Sequence, residues 1–114
     1  MAQQLIEQLF RAAVARDLDR TELASLASRY AHGASRDLLS DFAEFVAQRF
    51  VAGELDFLTA NGAMNQVMPV AGFEDAPQRF WEAYVAFEEF ETVADPDEQA
   101  RLRIRKLLTG WNAA

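Results

Sequence analysis

Cysteine is missing from the chain altogether, which removes disulfides, thiolate catalysis and zinc-thiolate sites. A chain that does without them fits a reducing cytosol, so a cytoplasmic location is the expectation. Histidine occurs once, at His32, and a carboxylate-bridged di-iron bundle needs two Glu-x-x-His motifs. Base is scarce as well: 11 Lys and Arg against 18 Asp and Glu leave a net charge of −7. That sign repels nucleic-acid phosphate, and no DNA or RNA partner is expected. No apolar run reaches the roughly 18 residues of a membrane span. The opening residues Met1 to Phe10 carry Glu7 and several glutamines where a signal peptide would have a basic start and a continuous apolar stretch. A soluble protein without a membrane partner is the expectation. The chain also lacks a catalytic triad, a metal-ligand set and a nucleotide loop. Eighteen acids always offer pairs for acid-base work, but nothing marks one pair as buried or coupled. The expected protein is not an enzyme and has no catalytic residue, metal or cofactor.

What is present is apolar surface in helical register. With 51% hydrophobic residues in 114, the chain can bury a core without covalent staples, and one domain over residues 1–114 follows. Leu5, Ile6, Leu9, Phe10, Ala13 and Val14 make an apolar stripe on a helix from about Ala2 to Arg16. Asp19 and Glu22 form a capping pattern for a second helix, with Leu23, Leu26, Ala27 and Tyr30 inward and Gly33 at its end. His32, next to that end, reads as a cap near the helix dipole rather than as a catalyst. Ser35 opens a third helix that carries Leu38, Leu39, Phe42, Phe45, Val46 and Phe50 on one side, and Gly53 terminates it. Asp56 caps a fourth helix that stops near Pro69, and Val70 to Asp75 reads as a loop. Asp75 and Pro77 open a fifth helix to about Glu91; the D-P-D-E run Asp95 to Glu98 opens a sixth that closes at Gly110. No strand alternation or repeat competes. The predicted fold is an all-α, single-domain bundle of about five to six short helices.

Charge is concentrated in one stretch. Nine of the 18 acids (Glu74, Asp75, Glu82, Glu88, Glu89, Glu91, Asp95, Asp97 and Glu98) lie between residues 74 and 98 with one base, Arg79. The same stretch holds Phe80, Trp81, Tyr84, Phe87 and Phe90, with Phe73 just before it. On a helical projection Phe80, Tyr84, Phe87 and Phe90 share an arc, Glu82 and Glu89 lie roughly opposite, and Trp81 and Val85 fall on a flank. Glu88 falls beside the apolar arc, where a carboxylate needs an arginine or a hydroxyl. Asp95, Asp97 and Glu98 suit a helix start, and Arg101, Arg103, Arg105 and Lys106 suit the end of the same helix or the acids of the fifth. Asn61 and Asn65 lie one turn apart around Gly62, all three weak helix formers. Two accounts stand for them: Gly62 admits a neighbouring helix while the amides satisfy buried backbone, or the amides line a pocket.

Two segments carry a resemblance. The run Gly53-Glu54-Leu55-Asp56-Phe57-Leu58-Thr59-Ala60-Asn61-Gly62-Ala63-Met64-Asn65, followed by Phe80-Trp81-Glu82-Ala83-Tyr84-Val85-Ala86-Phe87-Glu88, resembles a pattern in small, uncharacterised bacterial proteins. More loosely, size and charge resemble the small acidic helical immunity proteins that neutralise bacterial toxins. The resemblance implies a basic protein partner, such as a toxin, and no catalytic residues.

The leading expectation is a non-enzymatic binding domain. Glu74, Asp75, Glu82, Glu89 and Glu91 would meet the basic partner, with Trp81 and Phe73 as apolar anchors. A homodimer through Trp81, Val85 and the sixth helix is the second expectation, and a small-molecule binder using Asn61, Asn65, Met64 and Met68 the third. High salt would leave an apolar dimer intact and weaken an acidic contact.

Overall fold

The structure is a computed structural model that describes residues 2–30 and 35–113. It is an all-α bundle: α1 (Ala2–Ala15), α2 (Arg20–Ser28), α3 (Ser35–Val51), α4 (Phe57–Ala71), α5 (Gln78–Glu88) and α6 (Asp97–Ala113), with a 3-10 turn at Phe73–Asp75. No strand occurs among the described residues. His32, Gly33 and the Ser35 side chain, read above as the end of one helix and the start of the next, lie outside the described residues, but α2 already ends at Ser28 with Arg29 as its C-cap, so Gly33 does not close it.

Local chemistry accounts for most helix ends. The Asp19 carboxylate accepts from the Glu22 backbone N–H at 2.8 Å and starts α2; Asp56 accepts from the Thr59 N–H at 2.8 Å and starts α4. That bond holds the Asp56 carboxyl below the usual carboxylate range. Gly53, at φ +82, ends α3 in a left-handed turn, with its own N–H on the Phe50 carbonyl and the Glu54 N–H on the Arg49 carbonyl. Arg16 does the same for α1 at φ 61, without glycine's freedom.

Five further boundaries differ from expectation. Helix α4 does not stop at Pro69 but continues to Ala71, where Gly72 at φ +91 ends it. A proline in the last turn forfeits a single intrahelical bond, and Val70 and Ala71 beyond it still pack on the core. So Val70 to Asp75 is the end of a helix and a 3-10 turn rather than a loop. Helix α5 begins at Gln78, with Pro77 rather than Asp75 before it, and closes at Glu88. Past Glu88 the chain tightens, with Phe90, Glu91 and Val93 donating to carbonyls three residues back. Asp95 sits at φ 52 and does not cap α6, which starts at Asp97 and runs through Gly110 to Ala113. Arg101, Arg103, Arg105 and Lys106 therefore lie mid-helix, away from the dipole's negative end.

Helix α3 touches every other helix and is the centre of the core. Leu38, Leu39, Phe42, Val46 and Phe50 are fully buried on it. Phe42 stacks on Phe80 of α5 at 6.2 Å between centroids. Phe50, Phe57 and Phe87 form a triangle with centroid separations of 5.3, 6.1 and 6.4 Å, which joins α3, α4 and α5. Arg101 closes it from α6: its guanidinium lies 5.0 Å from the Phe50 ring, and it donates to the carbonyls of Phe50 at 3.0 Å and Leu55 at 3.4 Å. Asp97 braces the same corner by accepting from the Phe57 N–H at 3.1 Å. Arg79 plays a similar part at the end of α6, where it donates to the Trp111 carbonyl at 3.4 Å.

Gly62 has no packing role, contrary to the first account of it: a Cβ placed there meets nothing within 4 Å. Gly62→Ala is expected to raise stability by about 0.5–1 kcal/mol, the helix-propensity difference. Arg101→Ala is expected to lower it by about 1–3 kcal/mol, the scale of charge-assisted hydrogen bonds lost from partly buried carbonyls. Urea denaturation followed by far-UV circular dichroism measures both.

Candidate functional site

Because α4 and α5 are joined by a short connection and share the Phe57–Phe87 contact, their outer sides form one edge. At one end of it three aromatic rings meet. Phe73, in the turn after α4, stands edge-on to Tyr84 at 6.0 Å between centroids, and Trp81, three residues before Tyr84 on α5, stacks on it at 5.9 Å. Phe73 is 54% exposed and Trp81 45%, while Tyr84 between them is half-buried. The two anchors expected from the sequence are thus brought together, and Tyr84, which the projection assigned to the inner arc, is the ring that joins them.

Acids surround these rings. Glu74 and Asp75 are exposed and make no ion pair among the described residues. Glu88 is exposed one turn beyond Tyr84, and its carboxylate beside the phenol, with partial burial, pushes Tyr84 up to about 12. Being exposed, Glu88 needs no partner inside the fold, contrary to the expectation from its place beside the apolar arc.

The other expected contact acids have partners within the fold. Glu82 Oε1 accepts from the Trp111 indole N–H at 3.0 Å, so it lies against α6 rather than on a free wet face. Glu89 pairs with Arg103 at 3.5 Å, the α5–α6 pairing anticipated for the α6 bases. Glu91 Oε2 accepts from Asn61 Nδ2 and Asn65 Nδ2, both at 2.8 Å. These two amides hold the Glu91 carboxyl below the ordinary glutamate range. The asparagines satisfy a side-chain carboxylate rather than backbone groups, and they face Glu91 rather than an open pocket. Asn61 is 8% exposed and its Oδ1 has no hydrogen-bond partner, because its orientation is set by the carboxylate's need for donors. Met64 and Met68, which the third expectation assigned to a ligand, are fully buried.

Sequence reasoning missed Tyr84 and Glu88 as parts of the edge. Their spacing from Trp81 and from each other was the available signal. It also missed the Glu91 clamp, for which no local signal exists, since Asn61 and Glu91 are 30 residues apart.

Elsewhere, Tyr30 donates to Asp41 in a part-buried contact, and burial and that carboxylate raise its phenol. Among the described residues no group of three or more His, Asp or Glu is placed to hold a metal ion. None of the described helices is long and apolar enough to cross a membrane.

The clamp predicts a pH dependence. Its folded carboxyl titrates lower than in the unfolded chain, so its stabilisation is present above the unfolded value of about 4.3 and is lost as pH falls through the folded value. Glu91→Gln, which mimics the protonated acid, is expected to melt below the wild type at pH 7, with a smaller gap at about pH 3. Thermal unfolding at the two pH values measures it.

No protein family, no curated protein and no solved structure matches the chain.

Proposed function

We propose that this domain is a non-enzymatic protein-binding module that receives a basic partner on its α4–α5 edge. The observation that carries this reading is the Phe73–Tyr84–Trp81 cluster, with Phe73 and Trp81 exposed and unpaired acids around it. Large, rigid aromatic rings supply contact area at low entropic cost, and a cation over their faces gains about 0.5–2 kcal/mol. Carboxylates around them steer a positive surface into place and exclude acidic competitors. In this reading Glu74, Asp75 and Glu88 meet the partner's bases, Trp81 and Phe73 fill its apolar recesses, and Glu82, Glu89 and Glu91 hold the edge in shape. Neutralisation of a toxin or nuclease whose groove normally takes phosphate is the most concrete form of the proposal, in line with the resemblance to immunity proteins.

Phe73→Ala/Trp81→Ala and Glu74→Lys/Asp75→Lys leave the core untouched, because all four side chains are exposed. Tagged wild type is expected to capture a basic protein from host lysate at about 50 mM salt and much less at about 500 mM, where exposed charges are screened. Both double variants are expected to lose it while keeping wild-type circular dichroism. An unchanged capture by the variants, or a homodimer that persists at both salts as the sole product, overturns the proposal.

A further inference from the structure

On the flank of α5 opposite that edge, the charge is reversed. A groove of about 690 Å³ lies between α5 and α6, within the roughly 300–1,000 Å³ range of small-molecule sites. Its charged lining is Arg79, Arg103 and Lys106 against Glu82, in a chain whose net charge is −7. The one acid is engaged, since Glu82 accepts from the Trp111 indole N–H. Arg79 is held in place by Glu44 at 3.2 Å and by the Trp111 carbonyl, with its guanidinium 5.4 Å from the Trp111 ring. Arg103 has one exposed partner, Glu89, and Lys106 makes no ion pair among the described residues.

The shape of the groove has a cause in α6. Arg103, Lys106, Leu107 and Gly110 follow the i, i+3, i+4, i+7 spacing of one helix face. Gly110 lies inside α6, where glycine costs about 1 kcal/mol relative to alanine. No neighbour requires it: a Cβ there meets nothing within 4 Å. The missing side chain keeps the groove open between the cations and the indole.

We propose that this groove binds a small organic oxyanion, with its head group on Arg103 and Lys106 and its apolar body along Leu107 and Gly110. Guanidinium and ammonium donors form charge-assisted bonds to carboxylate or phosphate oxygens. The site is separate from the α4–α5 edge, and neither proposal depends on the other.

The two tryptophans supply the readout, because the Trp111 indole N–H lies in the groove and that of Trp81 lies on the opposite flank. In ¹H–¹⁵N spectra, phenyl phosphate or phenylacetate at millimolar concentration is expected to move the Trp111 indole signal saturably and leave Trp81 in place; whichever binds more tightly identifies the head group. Inorganic phosphate, which lacks the apolar body, and benzyl alcohol, which lacks the charge, are expected to bind more weakly. Lys106→Gln is expected to weaken binding about tenfold, the scale of one charge-assisted bond. Gly110→Leu, which fills the groove from an exposed position, is expected to abolish it. A Trp111 signal unmoved by both aryl anions overturns the proposal, as does one that moves equally in wild type and in folded Lys106→Gln and Gly110→Leu proteins.

Discussion

The Phe50 ring is where four helices are tied together. It meets Phe57 of α4 edge to face and Phe87 of α5 at a tilt, and Arg101 of α6 lies over it while bonding the Phe50 carbonyl. Carbonyls at a helix end need donors from outside the helix, and beyond the Gly53 N–H that Phe50 already receives, further donors come from elsewhere in the fold. Arg101 supplies them to the end of α3 and the connection after it, so one side chain fixes the spacing of α3, α4 and α6 together. Once α4 and α5 are held by this corner, the turn between them must present Phe73 beside Tyr84 and Trp81. The aromatic edge thus follows from a core contact.

Charge is distributed by the same packing. The nine acids between residues 74 and 98 form one block in the sequence, and folding divides them. Glu82, Glu89, Glu91 and Asp97 each receive a donor from another helix or its start. What remains free near the rings is a smaller set around Glu74, Asp75 and Glu88. The α6 bases are divided as well, with Arg101 in the core corner, Arg103 on Glu89 and Lys106 free along the α5–α6 groove. A protein of net charge −7 thereby presents an acidic aromatic surface and a basic groove on opposite flanks of one helix. Gly62 and Gly110, which lie inside described helices, both line grooves rather than close contacts.

Where the reading of the sequence and the fold agree, the signal is local. Asp19, Asp56 and Gly53 mark helix ends through bonds to neighbours within five residues. The apolar periods of α1 to α3 identify Leu9, Leu26, Phe42 and Phe50 as buried before any packing is known. The disagreements lie where local rules compete with the core. Pro69 costs one bond, which the packed Val70 and Ala71 outweigh, and Gly110 is carried through by a helix anchored at Ile104, Leu108 and Trp111. Asp95 lost its expected capping role because the chain turns left-handed there.

By itself the sequence determined the helical class, the inward faces of the helices and the collection of acids and aromatic rings between residues 73 and 98. These follow from periodicity and composition, which act within a turn or two of the chain. Only the tertiary structure decided which charges are satisfied and which are free, and which rings stand together at the surface. Asn61 meets Glu91 across 30 residues, Arg101 meets Phe50 across 51, and Trp111 meets Glu82 across 29. A hydrogen bond depends on distance and direction in space, and residues that far apart carry no local pattern that predicts their meeting.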